Sequence, residues 1–486
     1  MRKRFEPQTV LGIKNIEDTP IFSKSRDDIP ALVSALLKIY TTQKYRTSIL
    51  DVLQAHITKG KKATGRQGLT LWQIFVLAQF RLALNIDYDR LHYMTQSNSV
   101  LRQLLGIETE TGFERIEIGY QRILDNLHLL DDVTLMKIND IIVDFGHKEV
   151  FKKNPTTALS LKTDSFVVET NVHFPTDYNL LWDSTRKALD IITWFKKQQN
   201  YTKEWRKSKD WYRSLKNLCR ALGVASSSGG KHKAERLTKA TKAYLTKTKT
   251  FTKKLKASKD QLPLDKPMAY VKLLELDQFI ALIDKHIDLV ERRLLKGETI
   301  PHQEKLFSIF EQHTEWITKG KLRPNVELGK RTCITTDQYG LITDNYLMDH
   351  QADSQVLVEV TNTVSSKYRI NSWSFDKGFW SKDNKIHLET IAVKAILPKK
   401  GKPNKDEAIE EATPEFKKKR RKHSAVESNI NELEHSGLDK CPDKGLQGFK
   451  RYVAMAVVAY NLKRIGREIK RQEDLNRKKR LTGKAA

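Results

Sequence analysis

The stretch Leu161-Lys-Thr-Asp164-Ser-Phe-Val-Val-Glu-Thr-Asn171-Val-His-Phe-Pro-Thr-Asp177 changes from a strand pattern to the start of a helix. The β-forming residues at 166–168 predict the strand, and Pro175 ends the extended run before a helix that residue 176 or 177 can cap. Asp164 lies inside the strand. Because a carboxylate in a buried strand is costly unless it is paired or holds a cation, Asp164 indicates a metal site to which other segments must add acids.

The composition and charge of the chain favour a polyanionic partner. Its 486 residues include 87 Lys and Arg against 59 Asp and Glu, for a formal net charge of +28, and 39% of them are hydrophobic. That length predicts two to four domains with real cores. The charge predicts nucleic acid as the partner, and a basic protein without such a partner is the alternative.

Cysteine spacing and hydropathy predict a cytoplasmic protein that does not enter a membrane. The three cysteines, Cys219, Cys333 and Cys441, are scattered along the chain, which argues against a disulfide framework or a zinc knuckle. No apolar run reaches the roughly 18 residues of a membrane span. The basic residues at the start of the chain are not followed by an apolar signal region.

The first 150 residues predict an all-helical domain that could bind DNA. Thr70 and Gln73 form a capping box ahead of an apolar helix, and short helices follow at 89–95 and 98–105. Short helices with tight turns predict either a helix-turn-helix that enters a DNA groove or a plain helical bundle.

Residues 178–325 predict a basic helical insertion. A segment that interleaves aromatic residues with cations begins at Tyr201, and 238–259 is dense in lysine. A basic face of this density can follow a phosphate backbone. A run of charge is usually only a solvated face, but the nearly uniform sign of this one favours contact with DNA. Helices at 264–295 and 304–318 predict an antiparallel hairpin. The candidate DNA-binding residues of the insertion are Arg206, Lys207, Arg213, Lys249, Lys253 and Lys254.

With the insertion set aside, the order of elements predicts a mixed α/β domain. The strand with Asp164 precedes a hairpin at 331–348, a helix, and a strand at 369–375 that ends on Asp376. Another helix and strand follow, and then a helix that holds Glu427. This order suits a ribonuclease H-like sheet with helices on both faces, in which acids of the first and fourth strands lie side by side.

Each acid also has an ordinary structural explanation. Asp376 before Gly378 can be a turn residue after a strand. Glu427 competes with Glu432 and Glu434 on the same helix, and a solvated polar face explains its stripe as well as a site does. Three carboxylates on rigid elements would suit Mg²⁺ or Mn²⁺, and two such ions about 3.5–4 Å apart would promote phosphodiester cleavage.

Three acid-bearing blocks resemble those of bacterial insertion-sequence transposases. They are residues 163–177, Ser374-Phe-Asp-Lys-Gly-Phe379, and His423-Ser-Ala-Val-Glu-Ser-Asn-Ile-Asn-Glu-Leu-Glu-His435 followed by 437–443. The most similar group is the one known as ISNCY, among the DDE transposases. Residues 448–461 resemble the terminal helix of that group, so the resemblance covers most of the chain.

The resemblance implies a catalytic and metal-binding triad of Asp164, Asp376 and Glu427, with two Mg²⁺ or Mn²⁺ ions. Many related transposases carry an Arg four residues before the Glu and a Lys seven residues after it. Here those positions are His423 and Glu434, so that accessory phosphate clamp is absent or replaced. The candidate phosphate-contacting residues of this segment are Arg420, Arg421, His423 and His435.

A DDE transposase would bind the terminal inverted repeats of its element, cleave the ends and join the 3′-hydroxyls to target DNA. It would act as a homo-oligomer on paired ends, associated with the nucleoid in the bacterial cytoplasm. A ribonuclease H-like metal nuclease that cuts without joining, and a non-catalytic or decayed DNA-binding protein, are the alternatives. The predicted division of the chain is an N-terminal helical domain at 1–150, a split ribonuclease H-like catalytic domain at 151–177 and 326–466, the insertion at 178–325, and a basic tail at 467–486.

Overall fold

The structure, a computed structural model, describes residues 2–5, 10–22, 25–60, 68–199, 201, 205–318 and 325–482. It is an α/β protein with a mixed sheet of seven strands. The helices are α1 Ile29–Thr41, α2 Gln43–Ile57, α3 Leu71–Ala83, α4 Tyr88–Ser97, α5 Ser99–Leu104, α6 Tyr120–Leu127, α7 Asp132–Phe145, α8 Asp177–Gln198, α9 Ser208–Ser227, α10 Lys233–Lys259, α11 Pro267–Leu294, α12 Asp353–Ser365, α13 Lys382–Ile391, α14 Lys405–Ala412, α15 Pro414–Leu433 and α16 Gly445–Thr482. The strands are β1 Leu159–Thr170, β2 Glu315–Thr318, β3 Val326–Thr336, β4 Ile342–Leu347, β5 Ile370–Phe375, β6 Lys394–Ile396 and β7 Lys440–Cys441. None of the described helices is both long enough and apolar enough to cross a membrane.

Side-chain caps fix several helix starts where the sequence predicts them. The Thr70 hydroxyl accepts from the backbone N–H of Gln73, and the Gln73 side chain accepts from the N–H of Thr70, which confirms the capping box. Asn98 caps α5. Thr176 caps α8 directly after the extended run that Pro175 ends. The local polar residues therefore set these boundaries before any tertiary packing is considered.

Strand β1 lies at the centre of the sheet. The strand order is β2-β3-β1-β5-β6, while β4 pairs with β3 and β7 pairs with β1. Strand β3 is antiparallel to both β1 and β4, which confirms the predicted hairpin. Strands β5 and β7 are parallel to successive halves of β1, and β6 is parallel to β5.

Helices cover both faces of this sheet. On one face, Val356 of α12 shares a hydrophobic core with Trp373 of β5. On the other face, Val426 of α15 shares a core with Phe166 of β1. Because side chains alternate along a strand, Asp164 lies on the same face as Phe166. That face is the one covered by α15.

Helix α16 joins the N-terminal helices and the sheet in one hydrophobic core. Most of its residues 452–465 are buried together with α1, α3 and α7. The side chain of Asn461 donates to Asn139 of α7 and to the carbonyl of Ile342 in β4. Because this core is continuous, Met1–Asn171 and Ile317–Ala486 form one compact unit. The domain boundary predicted at residue 150 therefore does not separate two compact bodies.

The segment predicted as a basic tail at 467–486 continues helix α16 as far as Thr482. Arg467 forms ion pairs with Asp28 and Glu432. Further along, the Gln472 side chain donates to a backbone carbonyl at 2.9 Å. These partners hold the first two turns of the extension against the compact unit, and residues 483–486 lie outside the described residues.

Gly466→Ala is expected to destabilise the protein by about 2 kcal/mol or more, because it overpacks the contact between α16 and α1. A Cβ on Gly466 would lie 1.7 Å from the backbone carbonyl oxygen of Ala31. Gly223→Ala in α9 is the matched control, since its Cβ would meet its nearest neighbour, Tyr178, at an ordinary 3.7 Å. The control should be neutral or stabilising by up to about 1 kcal/mol, because alanine favours helix. Thermal unfolding of both variants checks the difference in sign.

The second compact unit is Val172–Trp316, close to the insertion predicted at 178–325. Helices α8–α11 pack around their own core, which includes Trp205, Tyr244 and Phe251. The helix predicted at 304–318 is wrong, because its last four residues form strand β2. The β-forming residues at 316–318 outweigh the weak helical pattern there.

Candidate active site and basic surfaces

Asp164 and Asp376 are brought together by the register of two parallel strands. Strand β1 pairs with β5 as far as Thr163↔Phe375, so the next position on each strand is an aspartate. Because side chains alternate along a strand, Asp376 lies on the same side of the sheet as Ser374, two residues earlier. This is the α15 face, on which Asp164 also lies. The predicted neighbourhood of these two acids is therefore a direct consequence of strand pairing.

Glu427 approaches the same place from helix α15. Val426 and Ile430 are buried and anchor the helix in the core, which leaves Glu427 exposed one position beyond Val426. Its charge acts on Asp164. Glu432, which competes with Glu427 in the sequence, instead bonds to an arginine of α16.

The carboxyl group of Asp164 lies in a strongly acidic and partly buried environment. Burial, together with the charges of Asp376, Asp353 and Glu427, raises the pKa of Asp164 to about 7. The backbone N–H of Ser165 donates a 2.7 Å hydrogen bond to this carboxyl and acts in the opposite direction. These carboxylates repel one another, so a cation among them would stabilise their charged forms.

The three predicted acids are not neutralised by lysine or arginine within the described part of the chain. Asp164, Asp376 and Glu427 form no ion pair there, although the net charge of the protein is +28. A donor set of carboxylate oxygens suits Mg²⁺ or Mn²⁺, so these residues fit the implied ions. In the described part of the chain, the oxygens of these three residues do not all lie within 4.8 Å of one another. Two ions do not require such a short distance, because each ion would be held by only part of the set.

Asp353, the first residue of α12, is a fourth acid near these three that sequence reasoning missed. Its Oδ1 accepts a 2.7 Å hydrogen bond from the hydroxyl of Ser165, and the Arg331 guanidinium lies 3.9 Å away. A Cβ on Gly378 would lie 2.7 Å from Asp353 Oδ2, so the turn after Asp376 passes against this carboxylate. An acid in the first turn of a helix is common, and the sequence therefore carries no separate signal for it.

The candidate phosphate-contacting residues of α15 and of the segment that follows it differ in their exposure and in their contacts. His423 is half-buried on the side of β5, with Nδ1 3.0 Å from the hydroxyl of Ser374. Burial lowers the pKa of His423 to about 4, so its ring is neutral at physiological pH. Arg420, Arg421 and His435 are exposed. Of the four, His423 is the residue that lies beside the acids.

Three of the predicted DNA-binding residues of the insertion, Arg206, Lys207 and Arg213, line one basic groove. The groove has a volume of about 840 Å³ beside α8 and α9, and its acids are Asp190 and Asp210. This excess of positive charge would suit a phosphate backbone. The further cations that line it are Lys196, Lys197, Lys209, Lys216 and Arg220.

The predicted basic face of α10 is partly neutralised by its neighbour α11. Lys249 bonds to Glu291 of α11 at 2.5 Å, and two more lysines of α10 pair with α11 aspartates. Lys254 lies 5.1 Å from the ring centre of the buried Trp205, while Lys253 is exposed. The groove beside α8 and α9 is therefore the stronger candidate for a nucleic-acid contact.

The second of the two short helices, α5, does not present an exposed recognition face. Five of the six residues of α5 are buried, and the indole N–H of Trp72 donates to the carbonyl of Leu104 at 2.9 Å. A recognition helix must offer its side chains to a DNA groove. The structure therefore favours the helical-bundle alternative for this segment.

Comparisons with known proteins supply no functional residues for this chain. No protein-family model, curated protein or solved structure matches it. The case for a function at this site therefore rests on the charges and the geometry of the residues around β1.

Proposed function

We propose that this protein is a DDE transposase that cleaves and joins DNA at Asp164, Asp376 and Glu427. The observation that carries the proposal is that Asp376 and Glu427 lie near enough to act electrostatically on Asp164, and that none of the three forms an ion pair in the described part of the chain. In a protein of net charge +28, acids that serve only stability would be expected to pair with lysine or arginine. Acids kept free of such pairs are available to divalent cations.

The order of the strands supports the same proposal. A ribonuclease H-like interpretation requires an early hairpin on one side of the first strand and the fourth strand on its other side. In the observed sheet β4 pairs with β3, and β3, β1, β5 and β6 follow one another in that order, with β3 antiparallel and β5 parallel to β1, which agrees with that requirement. The insertion follows β1, and strand β2 at its end pairs with β3.

The three acids would act as oxygen ligands from different elements. Asp164 and Asp376 offer carboxylates from two paired strands, and Glu427 offers one from the helix that crosses them. Two divalent ions, when bound, would activate the attacking water or 3′-hydroxyl and stabilise the leaving oxygen. The neutral ring of His423 adds no positive charge beside the acids, so it would not compete with the ions.

The proposed partners are the terminal inverted repeats of an element and a target DNA. The basic groove of the insertion, lined by Arg206, Lys207 and Arg213, supports a contact with the phosphate backbone. Phosphate contacts fix position on a duplex but do not read its sequence. Recognition of the repeats would therefore need further contacts, and action on paired ends would require a homo-oligomer.

An end-cleavage assay tests this function. Wild type and Asp376→Ala would be incubated with DNA that carries the repeats flanking the gene, in Mg²⁺, in Mn²⁺ and in chelator. We expect metal-dependent breaks at the repeat ends with wild type, absent with Asp376→Ala, and joined products when target DNA is added.

The products separate the proposal from its alternatives. Cleavage without joining would identify a metal nuclease instead of a transposase. Binding of the repeats without cleavage by wild type, in either metal, would identify a non-catalytic DNA-binding protein. Equal cleavage by wild type and Asp376→Ala would place the chemistry elsewhere in the chain.

A further inference from the structure

A pocket rich in lysine and serine lies beside the three acids on the same face of the sheet. Its volume is about 690 Å³, between strands β1 and β5 and helix α15. We call it the lysine pocket, and its lysines are Lys162, Lys418, Lys419 and Lys422. The serines Ser372 and Ser374 of β5 also line it, and hydroxyl groups can donate hydrogen bonds to a phosphate oxygen.

The lysines of this pocket differ from those of α10 because carboxylates do not neutralise them. In the described part of the chain none of the four forms an ion pair, and Glu415, the acid that lines the pocket, bonds to Lys394. Burial, with the charges of Lys394 and Lys422 against that of Glu415, lowers the pKa of Lys419. Lysines that repel one another in a cavity are stabilised by a bound anion.

The pocket continues directly into the acidic site. On β1, Lys162 precedes Asp164 by two residues, which is about 6.6 Å along a strand. On β5, Ser374 precedes Asp376 by the same interval, and its hydroxyl contacts His423 between the two sites. A single polynucleotide strand could therefore occupy both places at once.

We propose that the lysine pocket binds a backbone phosphate of the DNA strand whose neighbouring phosphodiester lies at Asp164, Asp376 and Glu427. This inference rests on the proposed function, because it assigns the pocket to the same substrate. The pocket takes the place of the accessory clamp that His423 and Glu434 cannot provide with their present charges. Its cations lie before Glu427 on α15 and before Asp164 on β1.

Binding of labelled DNA with metal chelated tests the pocket without any cleavage. The pocket variant is Lys419→Gln with Lys422→Gln. Its matched control, Lys405→Gln with Lys417→Gln, removes the same charge from exposed positions of α14 and α15 that do not line the pocket. We expect the pocket variant to bind at least about tenfold more weakly, with a salt dependence reduced by about one to two ions, and the control to change less than about threefold.

A second measurement on wild type avoids any effect of mutation on folding. Amine-reactive labelling, read by mass spectrometry, should show Lys419 and Lys422 protected by DNA and Lys417 unprotected. Protection by inorganic pyrophosphate but not by DNA would overturn the proposal in favour of a small free anion. Equal protection of all three lysines would overturn it in favour of a general surface attraction.

The outcome is separable from that of the proposed function. Pocket variants that bind DNA like their controls, in a protein that cleaves DNA, would overturn this inference alone. Pocket-dependent DNA binding by a protein that never cleaves would support the pocket while the transposase proposal fails.

Discussion

Glu427→Gln is expected to lower metal-dependent DNA cleavage about a thousandfold, because loss of one carboxylate ligand removes about 4 kcal/mol of transition-state stabilisation. The amide is nearly the same size as the carboxylate but lacks its charge. Glu434→Gln removes the same charge seven residues further along the chain, directly after the end of α15. It should change the rate less than about threefold, as a substitution outside the site.

Single-turnover cleavage of end-labelled DNA measures both rates, and thermal unfolding confirms that both variants fold. Titration with Mn²⁺ should show weaker binding by Glu427→Gln and unchanged binding by Glu434→Gln. DNA binding in chelator should be equal for the two proteins. Equal cleavage by the two variants would remove Glu427 from the site, and a selective loss with Glu434→Gln would transfer the role to that residue.

Local sequence signals anticipate the elements that carry the candidate site. The β-forming residues after Asp164 predict β1, and the strand that ends at Asp376 is β5. The signal for β1 is strong because residues 166–168 place β-forming side chains on both faces. In β5, Trp373 and Phe375 alternate with serines, which is the pattern of a strand with one apolar face. The order of the elements in the sequence predicts that the two aspartates are neighbours. The register of the two strands is what brings them together in the structure.

Other features depend on long-range contacts that a local pattern does not contain. Asp353 reaches Ser165 across the chain, yet its sequence context is that of any helix start. The lysines of α10 resemble a free basic face until α11 supplies Glu291 and its other acids. Helix α16 continues past residue 467, and Arg467 pairs with Asp28 of the N-terminal region.

Charge counting alone also fails to distinguish cations that bind a partner from cations that hold the fold. Lys249 is occupied by Glu291, while the lysines of the lysine pocket have no ion pair in the described chain. The sequence presents both sets as basic runs. The distinction between them rests on whether an acid from another element reaches each cation.

Asp443→Asn is expected to destabilise the protein by about 3–5 kcal/mol, because it leaves the buried Arg81 and the partly buried Arg451 without their counter-charge. Asp443 accepts hydrogen bonds from Arg81 of α3 at 2.6 Å and from Arg451 of α16 at 3.1 Å. The side chains of Arg81 and Asp443 are 3% and 5% exposed. The Arg81 guanidinium also lies 4.0 Å from the ring centre of Tyr88.

The exposed pair of Asp474 and Arg477 provides the matched control. Their side chains are 45% and 57% exposed at 3.1 Å, so Asp474→Asn should cost less than about 1 kcal/mol. Denaturant unfolding of both variants measures the difference. A loss for Asp443→Asn no larger than that for Asp474→Asn would show that the buried network does not hold α3 to α16.

The pH dependence of stability gives an independent test of the same carboxylate. Burial alone would raise the pKa of Asp443, but the hydrogen bonds and charges of Arg81 and Arg451 lower it below its ordinary value. A lowered pKa in the folded state gives stability that is present above the unfolded value of about 3.9 and lost as pH falls through the folded value. Wild type should therefore lose stability more steeply than Asp443→Asn below about pH 4. Parallel curves for the two proteins would mean that this aspartate keeps an ordinary pKa in the folded state.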